Sequence, residues 1–491
     1  MDVIPKIIHQ LWIGPKKPPT KFMNTWKNIH EKEDFEYIRW TEAEFKKRGF
    51  VSKLVHKINE MEEINGKADI IRWELLYEYG GFFVDADAYC IEPVTYLVEK
   101  YKAFVGYENE KVRNAGWCPP GNYDDVLAAT HPLIATGTMA FPPKHELPRL
   151  AIEWIKNNDI NVARTGKRAW RTVGPGLLTR LYHAQSWPDI TVLPSYLFLP
   201  IHVSGCSYNG REKIYANQEW GSTKQSYATM DSLELPDHLK EPTEKVSILI
   251  SSLDTKAAYV KDCLNSIKNQ IGHIFFEIIW INDGSNELNT KILKQMLYEF
   301  ENTTRFVKVI YHENDGNKGI GFTLNKGIEM CNNEIIIKMD SDDIMVPNRI
   351  QLQLDYMKKN PGIAICGGQV AMFYNVKEQV HNISNHPDIS WEQYKNIRSH
   401  WFINHPTVCY RKSKVLQAGN YDKNLKQMAE DFELELRMLK THGFIKNLPN
   451  ILLWYRCHPE QVTAGAKDKD KGAANSQYWQ NIRNEIINKL I

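Results

Sequence analysis

Residues 334–343 read EIIIKMDSDD, and residues 80–87 read GGFFVDAD. Each apolar run ends in an Asp-x-Asp pair: Asp340 with Asp342, Asp343 following at once, and Asp85 with Asp87. Short continuous apolar runs mark strands buried on both faces, as in parallel sheets covered by helices. Ligands of such sheets bind beyond the carboxyl ends of the strands, where these acidic residues fall. Because residues i and i+2 of a strand face one side, each pair is expected to converge on one hard divalent cation, Mn2+ or Mg2+, one per domain. That cation would keep positions open for phosphate oxygens and neutralise a leaving diphosphate, which is transferase chemistry. An EF-hand is excluded at both places, since Cys90 and Met345 stand where its sixth position needs glycine. The chain has no P-loop, HExxH or complete GxGxxG motif, which argues against P-loop kinases, zinc peptidases and dinucleotide enzymes.

Working outward from residue 334, strands alternate with helices. Residues 246–250 (VSILI), 276–281 (FEIIWI) and 306–312 (FVKVIYH) read as strands. Helices are expected between them, one carrying Val260, Cys263, Leu264 and Ile267 at i, i+3, i+4, i+7, one over 291–300 and one near 323–330. In the first half, ADIIRWELLYEY (68–79) reads as a helix that Gly80-Gly81 stops before a strand over 82–84. The fold class is therefore α/β with mostly parallel central sheets. Residues 231–245, DSLELPDHLKEPTEK, are charged, hold two prolines and lack apolar periodicity. They divide the chain into expected domains 1–235 and 246–491 joined by a linker over 236–245. A soft segment over 463–474 precedes an amphipathic helical tail, 475–491.

With 491 residues, 43% hydrophobic and 24% charged, the chain can build two large cores, and disorder or a membrane bundle is excluded. Lys and Arg number 61 against 59 Asp and Glu, a net charge of +2, so no global field favours nucleic acid. Eight scattered cysteines without a CxxC pair fit reduced thiols. The apolar start, MDVIPKIIHQLWIG, is interrupted by His9 and Gln10, so no signal peptide or membrane anchor is expected and the location is read as cytoplasmic.

Residues 246 to about 460 resemble glycosyltransferase family 2, of GT-A fold. The carrying fragments are VSILISSLD, FEIIWINDGS, NDGNKGIGFTLNKGI, IIIKMDSDD, AEDFELELRM and WYRCHPEQVT, in that order. The resemblance implies that Asp283 contacts the nucleobase, Asp340 the ribose or metal and Asp342 the metal, with His458 a further metal ligand. It makes Asp431, of the pair Glu430-Asp431, the catalytic base. Asp431 opens a helix whose Phe432, Leu436 and Leu439 face the core, and the helix amino end favours its ionised form. The other reading of this pair is an acidic helix cap. Ser251-Ser252-Leu253-Asp254 stands where the family has Pro-Thr-Tyr-Asn, which leaves Asp254 as a donor contact by position alone.

Residues 1 to about 230 resemble glycosyltransferase family 32, also GT-A but retaining. Here the carrying residues are IPKIIHQLWIG, ADIIRWELLYEYGGFFVDAD and VGPGLLT (173–179). By resemblance Asp69 and Arg72 bind the donor sugar, Asp85 serves the ribose, Asp87 the metal, and Trp12 stacks on the base. A surface i, i+3 ion pair is the plainer reading of Asp69 and Arg72. Two departures stand out: Phe83 replaces a frequent tyrosine, and Gln218 a histidine, so that Glu219 or Ser222 is left to complete the metal shell.

The whole reads as a bifunctional enzyme. Two separate metal-dependent sites, one retaining and one inverting, would move sugars from nucleotide-diphosphate donors, UDP-sugars foremost, to a glycan acceptor. The alternatives are an inactive, carbohydrate-binding first domain beside one active transferase, and a sugar nucleotidyltransferase, whose Gly-rich basic amino-terminal loop neither half shows.

Overall fold

A computed structural model describes residues 3–108, 110, 131–425, 429–459 and 472–491. The chain forms two units, Met1–Asn209 with Lys213–Leu239, and Gly210–Glu212 with Lys240–Ile491. The second unit thus takes three residues from the stretch read as the first domain.

In the first unit β1 (Ile7–Leu11), β2 (Glu36–Trp40), β3 (Gly81–Val84), β5 (Ala103–Tyr107), β6 (Ile134–Phe141) and β7 (Ile190–Leu193) form one sheet in the order β2-β1-β3-β6-β5-β7. Only β6 runs antiparallel to its neighbours. Phe83 points into a core with Trp40, Trp73 and Met139, while Phe82 and Val84 point into the opposite one with Trp26, Phe104 and Phe198. With both faces covered, every β3 position is apolar. The preceding helix, Ile64–Tyr79, stops at Gly80 (φ 65°) and Gly81 (φ 90°), where a Cβ on Gly80 would sit 2.6 Å from the Pro143 nitrogen. After Val84 the chain leaves the sheet, turns over Asp85–Asp87 and enters β4 (Ala88–Cys90), which pairs with β8 (Ala216–Gln218).

The second unit sets β9 (Glu244–Ser252), β10 (Ile274–Asn282), β11 (Val307–Glu313) and β12 (Ile335–Asp340) parallel in the order β11-β10-β9-β12. Helices Ala257–Lys268, Glu287–Thr303 and Ile320–Met330 connect them. Ile248, Trp280, Ile337 and Met339 face one core, and Leu249, Ile279, Ile281 and Ile336 the other. The sheet then turns mixed through β17 (Cys409–Arg411), β14 (Ile365–Phe373), β18 (Phe444–Arg456) and β13 (Ile344–Met345). Since β18 pairs with β13 just after the acidic turn, the residues beyond Arg456 are delivered to the carboxyl end of β12. β9 begins at Glu244, inside the stretch read as linker, and Asp237–Leu239 form a short 3-10 turn. The carboxy-terminal helix, Gly472–Leu490, buries Ile487 against the second unit's core. Residues 460–471, with most of the soft segment, and Cys118 lie outside the described residues. The seven described cysteines are free thiols. Among the described residues no helix is long and apolar enough to cross a membrane.

Candidate active sites

In the first unit Arg72 is the hub. One guanidinium nitrogen lies 2.5 Å from Asp85 Oδ1, and another 3.2 Å from Asp69 Oδ1 while it donates to the Thr136 carbonyl. The guanidinium also rides 4.5 Å over the Phe83 ring, so the phenyl group at the tyrosine position serves as its floor. Asp69 and Arg72 are buried, which overturns the surface ion pair. Gly174, of the VGPGLLT stretch, abuts Asp69: a Cβ there would stand 2.5 Å from Oδ2. Burial pushes Asp69 up to about 6, Arg72 opposing.

Asp87 is buried and turned away from Arg72. Its Oδ1 accepts from Gln218 Nε2 at 2.6 Å, and its Oδ2 from the Gly221 amide at 2.7 Å and the Tyr227 hydroxyl at 3.5 Å. Burial, and next the charge of Asp85, push it up to about 6. Asp85 and Asp87 therefore act as electrostatic neighbours on a turn, and the expected i, i+2 convergence on one strand face does not occur. The Glu219 carboxylate is engaged elsewhere, by Asn217 Nδ2 at 2.6 Å and Lys224 at 3.7 Å, while its amide donates to the Asp87 carbonyl at 3.0 Å, and Ser222 is exposed, so neither side chain joins the Asp87 carboxylate. Trp12 meets Tyr227 edge-on with centroids 5.1 Å apart. The residues missed from sequence are Tyr227, Gly221 and Gln10, whose Nε2 donates to the Asp85 carbonyl at 3.1 Å. Gln10 lies within the IPKIIHQLWIG stretch, whereas Gly221 and Tyr227 reach Asp87 from more than 100 residues away.

In the second unit Asp340 is the last residue of β12, and Asp342 and Asp343 lie in the turn beyond it. Their side chains diverge. Asp340 Oδ1 contacts the Lys338 ammonium, Asp342 Oδ2 faces His458 Nε2 at 2.9 Å, and Asp343 Oδ1 accepts from the Arg456 amide at 2.8 Å. Burial works to raise Asp340, but Lys338 and His405 outweigh it and hold the carboxyl below its usual range. Asp342 is pushed up by burial and then by Asp340. Helix Glu430–His442 buries Phe432, Leu436 and Leu439, as its pattern requires, with Glu430 and Asp431 in its first turn. Glu430 is buried and pushed up to about 8, first by burial and then by Asp431.

Two candidate donor contacts carry local structure. Asp283 accepts from Asn314 Nδ2 at 2.8 Å and from the amides of Lys318 and Gly319 at 2.9 and 3.0 Å, which pins the 314–319 loop. Asp254 accepts from Asn286 and Asn289 and so binds the loop after β9 to the start of helix Glu287–Thr303. Among the described residues no three His, Cys, Asp or Glu side chains form a ready metal cage. In the Asp342–His458 pair the carboxylate suits Mn2+ or Mg2+ and the facing imidazole favours Mn2+ of the two, with substrate phosphate and water to supply the rest. In the first unit Gly137 leaves open the space against Asp85 Oδ2, which a Cβ would enter at 2.7 Å.

The family described as "Glycosyl transferase family 2" matches residues 247–419, and "Glycosyltransferase sugar-binding region containing DXD motif" matches residues 19–104. Amylovoran biosynthesis glycosyltransferase AmsE of Erwinia amylovora is 30% identical over 244 residues, 49% of this chain and 82% of its own length. The UDP-Gal:alpha-D-GlcNAc-diphosphoundecaprenol beta-1,3-galactosyltransferase of Escherichia coli is 28% identical over 229 residues, 45% of this chain and 78% of its own. Bifunctional glycosyltransferase pgtA of Dictyostelium discoideum is 31% identical over 266 residues, 45% of this chain but only 33% of its own.

Proposed function

Since the chain belongs to glycosyl transferase family 2 and carries a second glycosyltransferase-related region, we propose that each unit transfers a sugar from a nucleotide-diphosphate donor to a glycan acceptor, at two separate metal-dependent sites. The observation that carries this reading is the Asp342–His458 pair, seated at the carboxyl end of β12 in a unit whose acidic helix end supplies a base. Asp342 and His458 would hold Mn2+ or Mg2+ in the second unit, and Asp87 in the first. When bound, such an ion neutralises charge on the departing diphosphate.

In the second unit Asp340 orients the donor ribose. Asp431 takes the proton of the acceptor hydroxyl as its oxygen bonds the anomeric carbon and the bond to diphosphate breaks, with inversion. The first unit is read as retaining, Arg72 and Asp69 holding the donor sugar, Trp12 the base, and the leaving diphosphate accepting the proton. A UDP-sugar is the donor favoured by the galactosyltransferase relative. Catalysis is assigned to the cytoplasm, where such donors are made.

The test uses the full chain with MnCl2 and a panel of nucleotide sugars, read by NMR for released nucleotide and the anomeric configuration of the product. Asp342→Ala is expected to abolish one linkage and Asp87→Ala the other, each leaving its neighbour. If either change stops both reactions while the fold persists, independent sites are wrong. The engagement of both Asp87 oxygens by protein donors favours a second reading, in which the first unit only binds carbohydrate. In that case Asp342→Ala alone silences the chain.

A further inference from the structure

β12 is apolar at Ile335, Ile336, Ile337 and Met339, yet its fourth residue is Lys338, fully buried. An ammonium withdrawn from water is costly unless paired, and a methionine would fill this place more cheaply. By strand alternation Lys338 shares the face of Ile336 and Asp340, the side on which Tyr410, Tyr421 and Phe432 of helix Glu430–His442 pack. Its backbone is fixed on both sides: its amide donates to the Val408 carbonyl at 3.0 Å, and its carbonyl accepts from buried Arg349 Nη2 at 2.7 Å.

The ammonium contacts Asp340 Oδ1 and lies 3.4 Å from the Met339 carbonyl. On the same side the turn His405–Thr407 places His405, whose Nε2 is 2.8 Å from the Tyr421 hydroxyl, itself 3.1 Å from the Tyr410 hydroxyl. The field of Lys338 also reaches the carboxyls of Glu430 and Glu435 on the base-bearing helix. One buried cation therefore contacts Asp340 on the face of β12 against which that helix packs.

We propose that Lys338 is a positioning residue of the second site, its buried ammonium aiming Asp340 at the donor. This rests on the transferase reading above. A lysine kept only for stability would be replaced by methionine without kinetic effect, whereas replacing a positioning lysine costs turnover.

The test compares wild type, Lys338→Met and Lys338→Arg in the full chain. Steady-state nucleotide release is measured with the donor that supports transfer, and UDP binding with MnCl2 by calorimetry. K338M is expected to stay folded with a lowered melting temperature, since Asp340 loses its partner, to lose about 30-fold or more in kcat, and to bind UDP with MnCl2 several-fold more weakly, with K338R recovering at least about a tenth of wild-type kcat. Should K338M not fold, Lys338→Gln, polar without charge, is read instead and carries the same expectation. An active wild type beside a folded K338M or K338Q within about twofold in kcat and KM overturns this proposal alone. K338R as inactive as K338M does so too. A wild-type chain that releases no nucleotide from any donor overturns both readings together.

Discussion

Glu430 and Asp431 are adjacent acids in one helical turn with opposite prospects. Glu430 is buried and its carboxyl stays protonated at neutral pH, being pushed up to about 8, while Asp431 is less buried and faces the helix amides, the Phe432 amide donating to its Oδ1 at 2.6 Å. Burial thus withdraws Glu430 from base chemistry and leaves the less buried Asp431 as the member placed to meet an acceptor. Asp431→Asn is accordingly expected to lower turnover by about 100-fold or more while UDP binding with MnCl2 survives. Glu430→Gln, a neutral isostere of the protonated acid, should stay within about threefold at pH 7. Steady-state rates decide, and unchanged turnover in Asp431→Asn removes that residue from the base role. The motif made the acidic pair visible in sequence, but that Glu430 is buried and Asp431 less so follows from tertiary packing, which no local pattern reports.

At the scale of elements, helix Ile64–Tyr79 was legible over residues 68–79 with its Gly-Gly stop, but its first turn and its environment were not. A run of buried residues from Asp69 to Leu76 makes it a core helix, and Arg72 fills its charge requirement from two segments at once, the 85–87 turn and β6. Removing one partner of such a buried network strands the others. Arg72→Met is expected to destabilise the first unit by about 3–5 kcal/mol, measured by urea unfolding, because Asp69 and Asp85 lose their common cation. Arg72→Lys should recover only part, since a point charge does not reproduce the fork that reaches Asp85, Asp69 and the Thr136 carbonyl. A loss under about 1 kcal/mol in Arg72→Met would mean that water takes over the role. The acidic turns show the same limit: the Asp-x-Asp pairs are where the sequence puts them, but partners more than 100 residues away, Gln218 and Gly221 for Asp87 and His458 for Asp342, decide where each carboxylate points.

For the whole molecule, the alternation of strands and helices in the second unit was readable because both faces of its sheet are covered, so the inner strands β9, β10 and β12 are mostly apolar runs. The mixed extension through β14, β17 and β18 was hidden, its strands being defined by register with remote partners. Buried titratable groups give the first unit a measurable signature in acid. His9 and His30 are lowered to about 4 by burial, so the unfolded chain takes up their protons between about pH 6.5 and 4 while the folded chain does not. That excess of protons on the unfolded state makes stability fall as pH falls through this window. Asp69 and Asp87 act in the opposite sense: raised to about 6, they bind protons in the folded state before the unfolded one, between about pH 6 and 3.8, so their contribution grows on acidification. The two sets nearly cancel, and the metal-free first unit should change little in stability between pH 6 and 4. Asp87→Asn removes one of the opposing protons. Its stability is then expected to fall more steeply than wild type across that interval, by up to about 1.4 kcal/mol per pH unit, in urea unfolding with EDTA present. Parallel pH profiles for the two chains would show that the Asp87 carboxyl is not raised by burial and by Asp85.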